Sequence, residues 1–150
     1  HAAEKVLEAN WEIDLIGLDV TSNIQFSHDV FTQGAKNSPR IGGFIHDLSK
    51  FYINFYKRVV GKSVCLMHDP AAILAITDPD IFTFQKAPLS VILEGEKVGN
   101  SFVSENLERR PVNVAVNVDA KAAQRKFISI FSQADSAYKK RLNSQGNKKL

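Results

Sequence analysis

The stretch Val64-Cys65-Leu66-Met67-His68-Asp69-Pro70-Ala71-Ala72 decides how the chain is read. An apolar run delivers an imidazole and a carboxylate side by side, and a proline then opens a new element. Pro70 fixes its own φ and has no N–H to leave unpaired, so it suits the first turn of a helix. Asp69, just before it, is biased toward extended backbone and is expected to cap that helix. The apolar residues upstream bury the approach, so His68 and Asp69 are expected at the rim of a core. Reactive groups of α/β proteins gather at such junctions, outside the strand ends. A helix cap and a structural imidazole explain the same residues without chemistry, and the stretch alone leaves both readings open.

Upstream of it lies the clearest helix, residues 44–59. Phe44, Leu48, Phe51, Tyr52, Phe55, Tyr56 and Val59 recur at three- and four-residue steps and read as one core-facing stripe. Tyr52 and Tyr56 share a face, so both phenols point toward one place. Beside a pocket, two phenols stack on and hydrogen-bond a flat polar ligand. Before the helix, residues 34–43 hold Gly, Asn, Ser and Pro and read as a loop. Ser27 is a candidate N-cap for a short helix reaching about Gly34. Trp11 to Val20 is crowded with apolar residues and reads as a strand covered on both faces. The opening residues, from His1, already follow a helical pattern with no cap ahead of them, which predicts a further segment upstream.

Downstream, Ala71 to Thr77 reads as a short apolar helix stopped by Asp78-Pro79-Asp80. Phe82-Thr83-Phe84 and Leu89 to Leu93 read as strands, and Ser101 to Ser104 is expected to pair back across the turns marked by Gly95 and Gly99. Val112 to Val118 alternates apolar with small or polar residues, the pattern of a strand with one buried face. Asp119 is a natural N-cap for a last helix that uses Ala122, Ala123, Phe127, Ile130 and Phe131. A chain of 150 residues is one domain of ordinary size. Its lone cysteine, Cys65, excludes an internal disulfide and fits a reducing, cytoplasmic compartment. Cys65 reads as a buried small hydrophobe, not a nucleophile.

The net charge of +3 is concentrated at one end. From Asp135 onward five cations (Lys139, Lys140, Arg141, Lys148, Lys149) face one carboxylate, so the first 134 residues sum to −1. Residues 1–134 read as the folded body and 135–150 as a basic, flexible tail whose removal is expected to leave the melting temperature nearly unchanged. No aromatic-basic platform of the kind that binds nucleic acid accompanies it, so no specific nucleic-acid partner is expected. No apolar run is long enough for a bilayer, and no membrane partner is expected. There is no Gly-rich phosphate loop, no metal-ligand spacing and no Ser-His-Asp signature.

Three pieces carry a family resemblance: Ile16-Gly17-Leu18-Asp19-Val20-Thr21, Leu66 to Ala72 with Asp78-Pro79-Asp80-Ile81-Phe82 after it, and Asn113 to Asp119. Together they resemble the C-terminal part of the inosine-uridine type nucleoside hydrolases over most of residues 1–132. His1-Ala2-Ala3-Glu4 resembles the helix that follows the family's ribose-binding Asn segment. The resemblance implies an α/β fold: the C-terminal part of a mostly parallel sheet flanked by helices, with a small β excursion after His-Asp-Pro. It implies hydrolysis of the N-glycosidic bond of ribonucleosides to ribose and free base, with one Ca²⁺ binding the ribose hydroxyls and the attacking water. By position, His68 would protonate the departing base, Asp69 would be a calcium ligand, and Tyr52 and Tyr56 would line the base pocket. An imidazole suits protonation of a leaving nitrogen near neutral pH, and Ca²⁺ prefers carboxylate oxygens.

The departure from the family is as informative. Its Asp-rich N-terminal motif, source of most calcium carboxylates and of the general base, has no counterpart here. One carboxylate cannot make a site of six to eight oxygens. The chain is therefore expected to be the C-terminal part of an enzyme, inactive alone, with the missing N-terminal half and a ribonucleoside as partners. Its open sheet edge also predicts self-association into a homo-oligomer. The competing expectation is a non-catalytic α/β interaction module that keeps only the scaffold.

Overall fold

The computed structural model describes residues 1–146. Its central sheet has three strands in the order β1 (Asp14–Leu15), β7 (Val112–Val118), β4 (Phe82–Ala87). β1 runs parallel to β7 and β4 runs antiparallel to it. The fold is thus α/β with a mixed sheet, and the parallel component within this chain is the β1–β7 pair. Two small antiparallel pairs flank it: β2 (Gln25–Phe26) with β3 (Cys65–Leu66), and β5 (Leu89–Val91) with β6 (Ser101–Val103). The second is the return pairing predicted after Gly99. No helix among the described residues is long and apolar enough to cross a membrane.

The alternation of β7 is interrupted. Phe82 pairs with Val118 and Thr83 with Asn117, but Phe84 pairs with Ala115, which leaves Val116 as a bulge. Because side chains alternate, one extra residue exchanges the faces on either side of it. Ala115 and Val118 join the main core, while Val112 and Val114 join a second cluster with Leu7, Leu89 and Val91. Val116 is exposed. The main core is built on Phe26 and Phe31, with Phe127 and Phe131 packed edge-on or stacked around them.

Four local expectations are corrected. The strand predicted over Trp11 to Val20 is two residues long, and Leu18–Thr21 is a short helix, α2. The Val20 and Thr21 N–H groups donate to the Gly17 carbonyl, so a local turn satisfies them where the described residues offer no strand partner. The loop predicted over 34–43 is mostly helical. α3 (His28–Asn37) runs through Gly34, and α4 (Ile41–Val59) starts before Gly42. Both glycines serve close approach. A Cβ at Gly34 would collide with the Phe131 ring, and one at Gly42 would lie 2.7 Å from the Gly34 carbonyl oxygen.

That crossing also explains the third correction. α4 buries Gly42, Ser49 and Ile53, with Gly42 at the close approach to α3. Part of the predicted apolar stripe faces outward instead, with Phe44, Phe51 and Val59 each about two-thirds exposed (65%, 67%, 65%), while Leu48, Tyr52 and Tyr56 line a cleft. Fourth, α5 (His68–Thr77) begins two residues earlier than Pro70, with Met67 as its N-cap. Asp69 lies inside the first turn, makes no capping hydrogen bond and is exposed. It remains favourable to the helix dipole there, but it is not the cap.

The remaining caps follow the sequence. Ser27 stands at the N-cap of α3, without a side-chain hydrogen bond. Asp119 caps α6 (Ala120–Ser132) by accepting the Ala122 N–H at 2.9 Å. From α7 (Ala134–Gly146), Asp135 reaches back to the start of α4 and accepts the N–H groups of Arg40 and Ile41 at 2.9 and 2.8 Å. These two donors hold its carboxyl below the usual carboxylate range. The Arg40 guanidinium sits 4.6 Å over the Tyr138 ring. Lys148 and Lys149, part of the basic segment, lie outside the described residues. With Asp135 and Tyr138 docked on the start of α4, the expectation that removing 135–150 leaves stability nearly unchanged is revised, and Asp135→Ala alone is expected to lower the melting temperature by a few degrees, read by circular dichroism. An unchanged melting temperature would mean that water replaces the carboxylate at no cost.

Candidate active site

Short backbone pairings place the reactive corner. Cys65 and Leu66 pair with Phe26 and Gln25, and the Met67 N–H donates to the Ile24 carbonyl at 3.1 Å. Residues 65–67 are thereby pinned to residues 24–26 at the edge of the core. Cys65 and Met67 are buried, so His68 is the first side chain free to leave. Burial pushes the Cys65 thiol up to about 11. It therefore stays protonated and serves as packing, as the sequence predicts.

His68 is held from both sides. Its Nδ1 lies 2.6 Å from the Thr21 hydroxyl, which is buried at the end of α2. Across from it stands the Tyr56 ring, with centroids 6.2 Å apart and planes inclined at 58°. His68, Asp69, Tyr52 and Tyr56 all line one cleft of about 460 Å³, a volume ordinary for a small-molecule site. α4 supplies Ser49, Tyr52 and Tyr56, α3 supplies Phe31, and the β3–α5 junction supplies Cys65 to Pro70. Burial pushes the Tyr56 phenol above its ordinary value, helped by the nearby Cys65, Tyr52 and Asp69. It stays a neutral hydrogen-bond donor. The walls are aromatic and aliphatic and the polar groups are few, an arrangement that receives a flat ring and donates to its edge.

The metal expectation fares differently. Among the described residues no three His, Cys, Asp or Glu side chains gather where an ion could be held. Asp69 offers one exposed carboxylate at the cleft, and the Thr21 hydroxyl is engaged with His68. That donor set does not fit calcium, which takes six to eight oxygens.

Sequence reasoning misses Thr21, Phe31 and Ser49 as parts of this site. Thr21 sits in one of the quoted matching stretches, but read as the first residue of a turn after the strand its hydroxyl has no defined direction. Ser49 is overshadowed by the aromatic stripe on the other faces of α4.

The sequence profile of the family described as "Inosine-uridine preferring nucleoside hydrolase" matches residues 1–125. The chain belongs to this family. Uridine nucleosidase 1 of Arabidopsis thaliana is 26% identical over 129 residues, covering 79% of this chain and 38% of that protein. The solved structure of a purine-preferring ribonucleoside hydrolase from Gardnerella vaginalis superposes with a TM-score of 0.79 at 27% identity, covering 87% of this chain and 43% of that one. A plant nucleoside hydrolase shares the fold, with a TM-score of 0.80 at 20% identity over 89% of this chain and 45% of that one. As a nucleoside hydrolase family member, the chain thus spans about two-fifths of the length of the relatives it matches.

Proposed function

We propose that the chain is the C-terminal portion of a ribonucleoside hydrolase, in which it supplies the base pocket and the leaving-group acid. One observation carries this reading: the four residues singled out by the family resemblance line a single cleft. In it, Tyr52 and Tyr56 hold the base, and His68 delivers a proton to the departing nitrogen from Nε2, the ring nitrogen not engaged by Thr21. A protonated base leaves as a neutral molecule, which is the chemical use of an imidazole there.

The rest of the site belongs, in this reading, to the portion of the fold that the longer relatives possess. Asp69 would join oxygen ligands from that portion in holding the calcium ion implied by the resemblance. Two surfaces support a missing neighbour. Among the described residues β1 is an edge strand with one side unpaired. Beside it, α5 is apolar all round, and Ile73 and Ile76 remain exposed at 61% and 76%. Helices of that kind are ordinarily enclosed. The same surfaces are those a homo-oligomer would use. A cytoplasmic setting is part of the proposal and rests on the single cysteine.

The second reading, a non-catalytic interaction module, is favoured by the outward part of the α4 stripe. The coding stretch ahead of His1 separates the two: an Asp-rich strand-turn motif there supports the enzyme, and its absence supports the module. For the 150 residues alone, the expected outcome is no release of reducing sugar from inosine or uridine and no tight stoichiometric calcium binding by titration calorimetry. Sugar release that His68→Ala abolishes would overturn the proposed division of the site.

A further inference from the structure

We infer that Thr21 is a positioning residue for His68: its buried hydroxyl holds Nδ1 and commits Nε2, with its proton, to the cleft. The use made of that proton rests on the reading of His68 as leaving-group acid; the geometry does not. Thr21 is 2% exposed, and its Oγ1 lies 2.6 Å from Nδ1 of a residue 47 positions away. The α2 turn fixes it, its own N–H donating to the Gly17 carbonyl at 3.0 Å. Among the described residues its hydroxyl has no other partner for its proton. A buried hydroxyl donates where an acceptor is at hand. In the neutral ring, therefore, Thr21 O–H donates to Nδ1 and the ring proton sits on Nε2.

The hydroxyl also serves the charged ring, although its own proton then loses its acceptor. When His68 is an imidazolium, Oγ1 turns and accepts from Nδ1–H. Transfer of the Nε2 proton to the departing base nitrogen leaves the N–H electron pair on Nε2 and the ring transiently as the Nδ1–H tautomer, still bonded to Thr21. Uptake of a solvent proton at Nε2 restores the imidazolium, and loss of the Nδ1 proton to solvent then returns the resting Nε2–H ring. A carboxylate in the place of Thr21 would only accept and would favour the charged ring, holding back the proton that must leave. No hydrogen bond joins His68 to Asp69 or to any other carboxylate among the described residues. A neutral, two-way partner is what the fold provides.

Two-bond ¹H–¹⁵N correlation spectra of the labelled 150-residue chain test this, at an alkaline pH where imidazoles are neutral. The expected result is His68 as the Nε2–H tautomer, with Nδ1 shifted upfield by an accepted hydrogen bond. Thr21→Val keeps the shape, removes the hydroxyl and should move Nδ1 downfield to the position of an unbonded ring. Thr21→Ser should restore it. Unchanged His68 nitrogens in a folded Thr21→Val chain overturn the inference. Should Val prevent folding, the Ser variant decides: a folded Thr21→Ser chain with Nδ1 at the unbonded position also overturns it. Addition of hypoxanthine separates this from the functional reading. His68 signals that depend on Thr21 but ignore hypoxanthine keep the positioning role and remove the base pocket.

Discussion

His68→Ala slows inosine hydrolysis by roughly 10²–10⁴-fold in an enzyme completed by the rest of the fold, the usual worth of a positioned acid. The loss is smallest for a substrate such as a nitrophenyl riboside, whose leaving group departs without a proton. Steady-state rates on the two substrates make the check. Equal slowing of both would assign His68 to binding or packing rather than to proton transfer. The structure makes the experiment clean, because His68 lies at the mouth of the core and not within it. Its neighbours Cys65, Met67 and Ala71 carry the burial on either side. Asp69 is a useful contrast. Exposed and free of any capping bond, it tolerates Asn or Ala without loss of fold, so any effect of either change on turnover would speak for a role in the site.

The other large effect is expected far from the cleft, at Glu4. α1 (Ala2–Glu8) docks on the β5–β6 hairpin through this side chain. Its carboxylate accepts from Ser90 Oγ at 2.9 Å, from the Val91 N–H at 2.7 Å and from Arg109 Nη1 at 2.8 Å. Glu4 is 7% exposed, and Arg109 Nε and Nη2 are buried with no partner among the described residues. Removing Glu4 therefore leaves a buried guanidinium unpaired, and Glu4→Ala should cost about 3–5 kcal/mol, measured by urea unfolding. The double variant Glu4→Ala, Arg109→Ala should cost less than the two single changes added together, since it strands no charge. A strictly additive double variant would mean that the two groups do not interact.

The same carboxylate gives the fold a dependence on acid. Burial pushes Glu4 up, but the bonds from Ser90 and Val91 and the bond and charge of Arg109 outweigh it, and the carboxyl ends below its ordinary value of 4.5. A group depressed in the folded state stabilises above its unfolded value, and that stability is lost as pH falls through the folded one. Stability should thus fall below about pH 4.5 more steeply in the native chain than in Glu4→Gln.

Much of this molecule is determined by local sequence. The helix over 44–59, the short helix ended by Asp78-Pro79, the hairpin across Gly95 and Gly99 and the Asp119 cap each follow from a period or a residue whose preference acts within a few positions. The His68-Asp69 junction was legible only in its place at the end of an apolar run, since the helix begins at His68 rather than at Pro70 and Asp69 is not its cap. What local preference could not decide was which face of an element finds a partner. The aromatic stripe of α4 has the period of a core helix, yet part of it faces outward, while Gly42 is buried at the close approach to α3. The bulge at Val116 exists because β4 pairs in two registers, and β7 alone shows no sign of it. Glu4, Asp135 and Thr21 are ordinary residues in the sequence, and each gains its role from a donor, acceptor or ring 47 to 105 residues away. Buried polar groups must be satisfied, but the chain does not record by whom until packing has brought the candidates together.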